Sequence, residues 1–309
     1  MKIFTGNSHS SLAREICAYL KVPLGDIAIR KFSDGESYCQ IKENIRGADV
    51  FLIQPTCPPV NHNLMELLIM LDAAKRSSAS RITAVLPYYG YARQERKDRP
   101  RVPISAKLVA DLLTSAGAHR ILTMDLHSPA IQGFFDIPVD HLFAAPVIVE
   151  HIQNVKLPNL VVVSPDAGGV ERARAFAKRL GGGLAIMDKR RSEPNISEVL
   201  HVVGEVRDCT ALIVDDIIDT AGTVVSTAKA LRDNGVRKVY GCFTHGILSG
   251  PARERLQNAP LDSIWITNTI PLAEDWKGSP RITVVSVSAL LGEAISRIHN
   301  NSSVTSLFD

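Results

Sequence analysis

The chain has 309 residues, of which 45% are apolar and 22% charged, with a formal net charge of +3. These values are typical of a globular protein of about two domains and give no electrostatic reason to expect a nucleic-acid partner. No run of 18 uncharged apolar residues is present, and the first ten residues lack the apolar core of a signal peptide. We therefore expect a cytoplasmic protein with no membrane partner, and the scattered cysteines favour reduced thiols.

Short apolar runs alternate with amphipathic helical patterns along the whole chain. Predicted strands are 2–4, 50–53, 81–86, 120–124, 160–163, 184–186, 211–214, 236–242, 263–266 and 283–285. Predicted helices are 11–20, 63–76, 104–116, 169–180, 223–233 and 289–298. This alternation predicts an α/β fold with two similar domains, 1–144 and 145–309, each a mostly parallel sheet flanked by helices.

The first segment of interest is Phe32-Ser33-Asp34-Gly35-Glu36, which lies between two β-like pieces. An exposed Phe32 could stack on a purine, and a carboxylate could accept a hydrogen bond from the purine's amino group. The same residues also suit a plain turn in which Gly35 takes a positive φ, and the sequence leaves both interpretations open.

A basic segment, Arg93–Arg101, follows an aromatic, turn-prone stretch and holds five basic and two acidic residues. A loop of this kind beside a nucleotide could neutralise a triphosphate, since arginine binds phosphate with two parallel hydrogen bonds. A solvated charge run is the other interpretation, and it is the commoner fate of such segments.

The predicted strand 120–124 leads into Asp125-Leu126-His127. If the strand continued, alternation would place Asp125 and His127 on one side of it. Four potential ligands lie within residues 125–140. Carboxylates together with phosphate oxygens suit Mg²⁺, whereas His127 could instead bind a phosphate oxygen or reach the metal through water. An Asp-x-His pair alone could equally be a hydrogen-bonded strand end.

The segment Ser164-Pro165-Asp166-Ala167-Gly168-Gly169 ends the next predicted strand. Asp166 could help to hold a metal or a ribose hydroxyl. It could also cap the helix that follows.

Three consecutive basic residues, 189–191, follow the predicted strand 184–186. At a phosphoryl-transfer site they would stabilise the charge on the moving group. On an ordinary surface they would only add solubility.

The most informative stretch is 211–223, in which an apolar run meets Asp215 and Asp216, then Asp219 and a turn of small residues, before a helical pattern that ends at Gly235. Backbone N–H groups at such a helix start can bind a phosphate dianion, and the acids suit ribose hydroxyls or a metal. A phosphorylated sugar meets both requirements. A Ca²⁺ or Mg²⁺ loop, or acids that simply end a strand, are the alternatives.

Three common signatures are missing from the sequence. It has no G-x-x-x-x-G-K-[ST] run for ATP, no G-x-G-x-x-G after the first strand and no G-x-S-x-G. The sequence therefore gives no indication of a P-loop, a dinucleotide-binding fold or an α/β-hydrolase.

The 215–223 stretch resembles the phosphoribosyl diphosphate (PRPP) signature of the type I phosphoribosyltransferase superfamily, and the 125–140 run closely resembles that of the class I ribose-phosphate pyrophosphokinases. The second resemblance covers essentially the whole chain, in the family's order. It implies a phosphoribosyltransferase-like fold and an ATP-dependent enzyme that converts ribose 5-phosphate to PRPP and AMP for nucleotide biosynthesis.

The resemblance also implies roles for individual residues. The catalytic residues would be Lys189 and Arg191. The ATP-binding residues would be Phe32, Asp34, Glu36, Arg93, Gln94 and His127. The ribose 5-phosphate-binding residues would be Asp215, Asp216, Asp219, Thr220, Ala221, Gly222 and Thr223. The Mg²⁺ ligands would be Asp125, His127, Asp136 and Asp166. Pro100 departs from the family's usual small polar residue and would stiffen the basic loop.

The resemblance further implies a homohexamer that phosphate activates and ADP inhibits. Two rival functions remain open from the sequence. One is a phosphoribosyltransferase that consumes PRPP, which the chain length and the 125–140 run argue against. The other is a non-catalytic relative that assembles with active subunits, which the intact Lys189 and Arg191 argue against.

Overall fold

The computed structural model describes residues 1–190 and 199–307. The helices are α1 (Ser10–Leu20), α2 (Val60–Arg76), α3 (Ser105–Ala116), α4 (Ala145–Val155), α5 (Val170–Leu180), α6 (Gly222–Asp233), α7 (Ala252–Gln257) and α8 (Ser288–His299). The strands are β1 (Lys2–Thr5), β2 (Ile27–Lys31), β3 (Ser37–Ile41), β4 (Asp49–Ile53), β5 (Arg81–Leu86), β6 (Arg120–Met124), β7 (Val139–Leu142), β8 (Leu160–Ser164), β9 (Gly183–Arg190), β10 (Val199–Val203), β11 (Thr210–Ile218), β12 (Lys238–Gly246), β13 (Ser263–Thr267) and β14 (Ile282–Val285). Within the described residues, none of the helices has both the length and the apolarity needed to cross a bilayer.

The chain divides into two compact units. Met1–Phe143, Thr269–Pro271 and Ser286–Asp309 form the first, and Ala144–Asn268 and Leu272–Val285 form the second. The linear division predicted at residue 144 matches the first passage between the units. It differs from the structure in placing the C-terminal segment with the second half.

The first unit contains a five-stranded parallel sheet in the order β1-β4-β5-β6-β7 and a separate antiparallel hairpin of β2 and β3. In β4 and β5 every residue after the first is buried. Runs of this kind are typical of parallel strands that are covered on both faces. Because all five strands are parallel, their carboxyl ends meet at one edge, where the chain leaves β6 at Met124.

Helix α8 belongs to the first unit because it packs tightly against α1. A β-carbon at Gly292 of α8 would lie 2.5 Å from Cδ1 of Tyr19, so a side chain at this position would force the Tyr19 ring to move. Arg81 then binds the helix end: its Nη2 donates to the carbonyl oxygen of Ile298 at 2.9 Å, and its Nε donates to Asp49 at 2.8 Å. Side-chain packing between segments far apart in sequence thus assigns the C-terminus to the first unit, which strand and helix patterns alone could not show.

The second unit contains a seven-stranded sheet in the order β10-β9-β8-β11-β12-β13-β14, in which only the β10–β9 pairing is antiparallel among the described strands. Its core lies on the strand faces and the inner sides of the helices, with Val163, Ile213, Phe243 and Leu231 buried together. The predicted fold class, two α/β domains with mostly parallel sheets, is confirmed.

Most predicted strands start and end within two residues of the observed ones, but β11 differs in a way that matters for the site. The prediction ended this strand at Val214, whereas the observed strand continues through both acids to Ile218. Parallel pairing with β12 explains the extension, since Asp215 lies in register with Phe243 and Ile218 with Gly246. Asp215 and Asp216 are therefore strand residues and not loop residues.

Candidate active site

The chain turns sharply where it leaves β6. Asp125 has φ +40°, in the left-handed region, and its side chain is buried. Its N–H donates to the carbonyl oxygen of Leu142 at 2.9 Å, and the next N–H, of Leu126, donates to Nε2 of His141 at 2.9 Å. Both acceptors are at the end of β7, so this strand fixes two consecutive backbone donors of the exit loop.

The turn at Asp125 corrects one sequence expectation. Strand alternation was expected to place Asp125 and His127 on one side, but β6 ends at Met124 and the left-handed residue breaks the period of two. His127 is exposed, as is Asp136, which follows the 3₁₀ turn Pro129–Phe134. Among the described residues, no three His, Cys, Asp or Glu side chains are grouped so as to hold a metal.

The segment Phe32–Glu36 forms the tip of the β2–β3 hairpin. Gly35 has φ +95°, and the N–H of Glu36 donates to Oδ1 of Asp34 at 3.0 Å, so the turn interpretation is confirmed at the level of structure. Phe32 is 48% exposed and contacts Tyr38 edge-on, with the ring centroids 5.7 Å apart. The tip thus presents an aromatic ring and two exposed carboxylates, Asp34 and Glu36, to its surroundings.

The second residue of the basic loop Arg93–Arg101 is held in place by hydrogen bonds. Gln94 accepts a hydrogen bond on Oε1 from Oγ of Ser105 at 2.6 Å, and its carbonyl oxygen accepts from the N–H of Ala106 at 3.2 Å. Arg93 and the residues beyond Glu95 are exposed. The loop is therefore anchored at the start of α3 while its arginines and lysine face solvent.

In the second unit, one arginine binds both acids at the end of β11. Arg172 lies in the first turn of α5, and its Nη1 donates to Oδ1 of Asp215 at 3.0 Å and to Oδ1 of Asp216 at 3.1 Å. Helix α5 follows β8, which pairs with β11, so the topology brings the start of the helix to the acids. Oδ1 of Asp215 also accepts from the N–H of Asp216 at 2.9 Å.

The pKa of Asp215 is perturbed by its surroundings. Burial, followed by the charge of Asp216, raises the pKa of Asp215 to about 8, and Arg172 opposes this rise. Two adjacent carboxylates and a single guanidinium leave one negative charge in excess, which a proton can neutralise. A ligand that brings hydroxyl donors or a cation to this pair would favour the ionised form of Asp215.

A tight turn joins β11 to α6. Ala221 is buried and has φ +61°, and α6 begins directly after it at Gly222. Within the described part of the chain, no side chain caps this helix start. Its first N–H groups, together with the positive end of the helix dipole, form the kind of site that binds an anion.

Two side chains that follow β12 in the chain form hydrogen bonds with this turn. Oγ of Ser249 donates to Oδ1 of Asp219. Nη1 of Arg255, on α7, donates to the carbonyl oxygen of Thr220 at 3.0 Å. Asp219 and Thr220, which precede Gly222 in the turn, are therefore held by side chains that lie 30 and 35 residues further along the chain.

Helix α5 has Gly169 at its cap position, with no side-chain cap among the described residues, so the expectation that Asp166 caps this helix is wrong. Asp166 instead binds the turn in front of the helix. Its Oδ1 accepts from the N–H of Gly169 at 3.0 Å, one residue before α5 begins. Metal binding by its other oxygen stays a prediction.

The structure describes little of the two predicted catalytic residues. The backbone of Lys189 lies in β9, in register with Leu200 of β10, but its side chain is not among those described. Arg191 lies outside the described residues. Their roles stay predictions.

Sequence reasoning missed four residues that shape these loops: His141, Arg172, Ser249 and Arg255. Each acts on a residue at least 15 positions away, so no local pattern indicates it. The only available signals were a histidine at the end of a short apolar run and an arginine in the first turn of a predicted helix.

Comparison with known proteins shows which family the chain belongs to. Residues 1–117 match the family model described as the N-terminal domain of ribose phosphate pyrophosphokinase, and residues 189–309 match the phosphoribosyl synthetase-associated domain. A ribose-phosphate pyrophosphokinase of Caldanaerobacter subterraneus subsp. tengcongensis is 56% identical over 309 residues, which is 100% of this chain and 98% of the relative. The chain belongs to the ribose-phosphate pyrophosphokinase family.

Other ribose-phosphate pyrophosphokinases agree. The relative from Aquifex aeolicus is 56% identical, and the match covers 100% of this chain and 99% of the relative. The crystal structure of phosphoribosylpyrophosphate synthetase from Mycobacterium smegmatis has a TM-score of 0.92 and 43% identity, covering 97% of this chain and 99% of that one. The predicted family is confirmed, and with it the prediction of a diphosphotransferase that makes PRPP from ATP and ribose 5-phosphate.

Proposed function

We propose that the two exit loops divide the substrates of this reaction, with ribose 5-phosphate at the β11–α6 turn and ATP at the residues around the β6 exit. The ribose 1-hydroxyl oxygen attacks the β-phosphorus of ATP. A new O–P bond forms there, the bond from that phosphorus to the α,β-bridging oxygen breaks, and AMP leaves. The β,γ-diphosphate is thus transferred as one unit, and the hydroxyl proton passes to solvent or a phosphate oxygen.

The observation that carries the proposal is the arrangement at the end of β11. Asp215 and Asp216 are next to each other on the strand and share Arg172, and an uncapped helix start follows Ala221. The carboxylates can accept hydrogen bonds from the ribose hydroxyls. The backbone of Asp219 to Thr223 offers donors to the 5-phosphate. One ligand with a sugar at one end and a dianion at the other satisfies both parts.

The ATP side rests on the hairpin tip and the basic loop. The exposed ring of Phe32 can stack on adenine, and Asp34 or Glu36 can accept from the adenine amino group. Arg93, exposed beside the anchored Gln94, can bind phosphate oxygens, as can His127. These roles follow from the family resemblance, and the exposure of the side chains supports them.

The donors at the β6 exit suit Mg²⁺. Asp125 supplies a buried carboxylate, and the exposed His127 and Asp136 follow it along the chain. Asp166, in the second unit, would lie near a second ion. Mg²⁺ usually takes only one or two protein carboxylates and completes its shell with substrate phosphates and water. When bound, the ion would neutralise the charge of the triphosphate.

Lys189 and Arg191 are proposed to stabilise the diphosphate as it moves. Phosphoryl transfer needs little covalent chemistry from the protein, so catalysis consists of positioning and charge stabilisation. By the same resemblance, we propose a homohexamer that works in the cytoplasm, with phosphate as activator and ADP as inhibitor.

The test is an assay of purified protein with ATP, Mg²⁺ and ribose 5-phosphate but no nucleobase. The proposal predicts equal amounts of AMP and PRPP, and no AMP when ribose 5-phosphate is omitted. A phosphoribosyltransferase would consume added PRPP only when a base is present. A non-catalytic subunit would show no turnover alone, and either result would contradict the proposal.

A further inference from the structure

The 5-phosphate loop, residues 215–223, has an electrostatic problem. It carries three carboxylates and no basic side chain, yet its proposed ligand is a phosphate dianion. Like charges at close range oppose binding unless a cation compensates them. Arg172 is already bound to Asp215 and Asp216, at the sugar end of the loop. The N–H groups and the dipole of α6 supply partial positive charge at the phosphate end, and a full positive charge there would have to come from a side chain outside the loop.

Arg255 lies at that end. Its Nη1 donates to the carbonyl oxygen of Thr220 at 3.0 Å and would be 3.2 Å from a β-carbon placed on Gly222. The guanidinium therefore binds the residue before Ala221, which has the positive φ, and lies near the residue after it. A β-carbon at position 222 would require Nη1 of Arg255 to move by a few tenths of an ångström.

The position of Arg255 is fixed by its own helix. Ala252 and Leu256 of α7 are buried in the core of the second unit, whereas Arg255 is exposed and reaches back to the loop. Ser249, just before α7, also binds Asp219. The segment from Ser249 to Arg255 thus holds the turn at both ends, and Ser249 occupies one oxygen of the carboxylate nearest the turn.

We propose that Arg255 is the positioning residue of the 5-phosphate loop. By holding Thr220 it keeps the turn open at the start of α6, and its charge offsets the loop's carboxylates when the phosphate binds. This inference rests on the proposed placement of ribose 5-phosphate at this loop. It adds to the proposed binding site a residue outside the loop, whose charge acts on the phosphate end of the substrate.

The experiment compares Arg255→Gln with Arg253→Gln by calorimetric titration of ribose 5-phosphate and, separately, of Mg-ATP. Arg253 lies on the same helix and pairs with Asp275 at 3.5 Å, so the control removes an equal charge from α7 without touching the loop. Loss of a charged hydrogen bond predicts about a tenfold or greater loss of ribose 5-phosphate affinity in Arg255→Gln. We expect no such loss in Arg253→Gln, and Mg-ATP affinity is unchanged in both variants.

Two further readouts separate the role of Arg255 from simple support of the fold. Ribose 5-phosphate affinity should depend less on salt concentration in Arg255→Gln than in the unmutated protein, and Arg255→Lys should restore the salt dependence. Gly222→Ala should weaken binding less in the Arg255→Gln background than alone, because the two sites are in contact.

Unchanged ribose 5-phosphate affinity in Arg255→Gln would overturn the inference, as would equal losses in both glutamine variants. Absence of ribose 5-phosphate binding by the unmutated protein would also overturn it. Because titration needs no turnover, a protein that binds ribose 5-phosphate but makes no AMP would contradict the proposed reaction and leave the role of Arg255 measurable.

Discussion

The exits of β6 and β11 both lie at the carboxyl end of an interior parallel strand of their respective units, but their backbone N–H groups are used in opposite ways. After β6 the left-handed residue comes at once, at Asp125, and the N–H groups of Asp125 and Leu126 are taken by β7. After β11 the left-handed residue, Ala221, comes later and opens an uncapped helix. The β6 exit, whose backbone N–H groups are already bonded and whose carboxylate is buried, suits a cation. The β11 exit, whose backbone N–H groups are open, suits an anion.

The largest effect should follow from removing the carboxylate at the first exit. Asparagine tolerates positive φ at least as well as aspartate, so Asp125→Asn keeps the turn and removes only the charge. We expect kcat/KM to fall by about 100-fold or more, as for other groups that stabilise phosphoryl transfer. Steady-state assays across a range of Mg²⁺ concentrations check this. The exposed Asp136, changed to Asn in the same way, should cost less, and a larger loss there would place the main metal contact at Asp136.

Strain at the second exit should act on the other substrate. A β-branched residue is unfavourable at φ +61°, and Ala221 is also buried. Ala221→Val should therefore distort the turn and raise the KM for ribose 5-phosphate by about tenfold, a strain of roughly 1.4 kcal/mol. The KM for ATP should stay constant. Ala221→Gly is the matched control, since glycine accepts this φ, and a defect of equal size in both variants would argue against backbone geometry as the cause.

These two loops also show how far sequence alone can predict structure. Apolar runs placed β6 and the start of β11 correctly because buried parallel strands leave a strong local pattern. The turn at Asp125 depends on hydrogen bonds from β7, a four-residue strand that was not predicted. The extension of β11 depends on pairing with β12.

The residues that support the candidate site could not be predicted from the sequence either. Arg172, His141 and Arg255 carry no local signal, because each is defined by a partner brought near through the fold. The assignment of α8 to the first unit likewise depends on its contact with Tyr19 and on Arg81. By contrast, acids and small residues at the strand ends indicated a ligand type for each exit from the sequence alone, and these assignments stay predictions.

A smaller effect on ATP should come from His141. Nε2 of this residue accepts from the N–H of Leu126, so His141→Leu leaves a buried donor without its acceptor. We expect the exit loop to shift and the KM for Mg-ATP to rise by about fivefold, which is about 1 kcal/mol and comparable to the net contribution of one hydrogen bond. Glutamine can place an amide oxygen where Nε2 lies, so His141→Gln should recover most of the affinity. Failure of that rescue would show that ring packing against Phe143 matters more than the hydrogen bond.

The last effect concerns stability and pH and not substrate affinity. In the folded protein the pKa of Asp215 is raised to about 8, so between its ordinary value and about 8 the folded state binds more protons than the unfolded state. Stability contributed by this group is therefore complete at low pH and is lost as pH rises through that range. As the pH rises from about 4 to about 8, the melting temperature of the unmutated protein should fall relative to that of Asp215→Asn. Parallel melting curves for the two proteins would contradict a raised pKa.

Hydrogen–deuterium exchange read by mass spectrometry, with ribose 5-phosphate as the sole added ligand, tests the contrast between the two exits most directly. The account predicts slower exchange in peptides that cover residues 219–226, because the open N–H groups at the start of α6 acquire phosphate partners. Peptides that cover residues 123–128 should not change, since their donors are already bonded to β7. Protection at 123–128 without protection at 219–226 would contradict the assignment of the anion to the second exit.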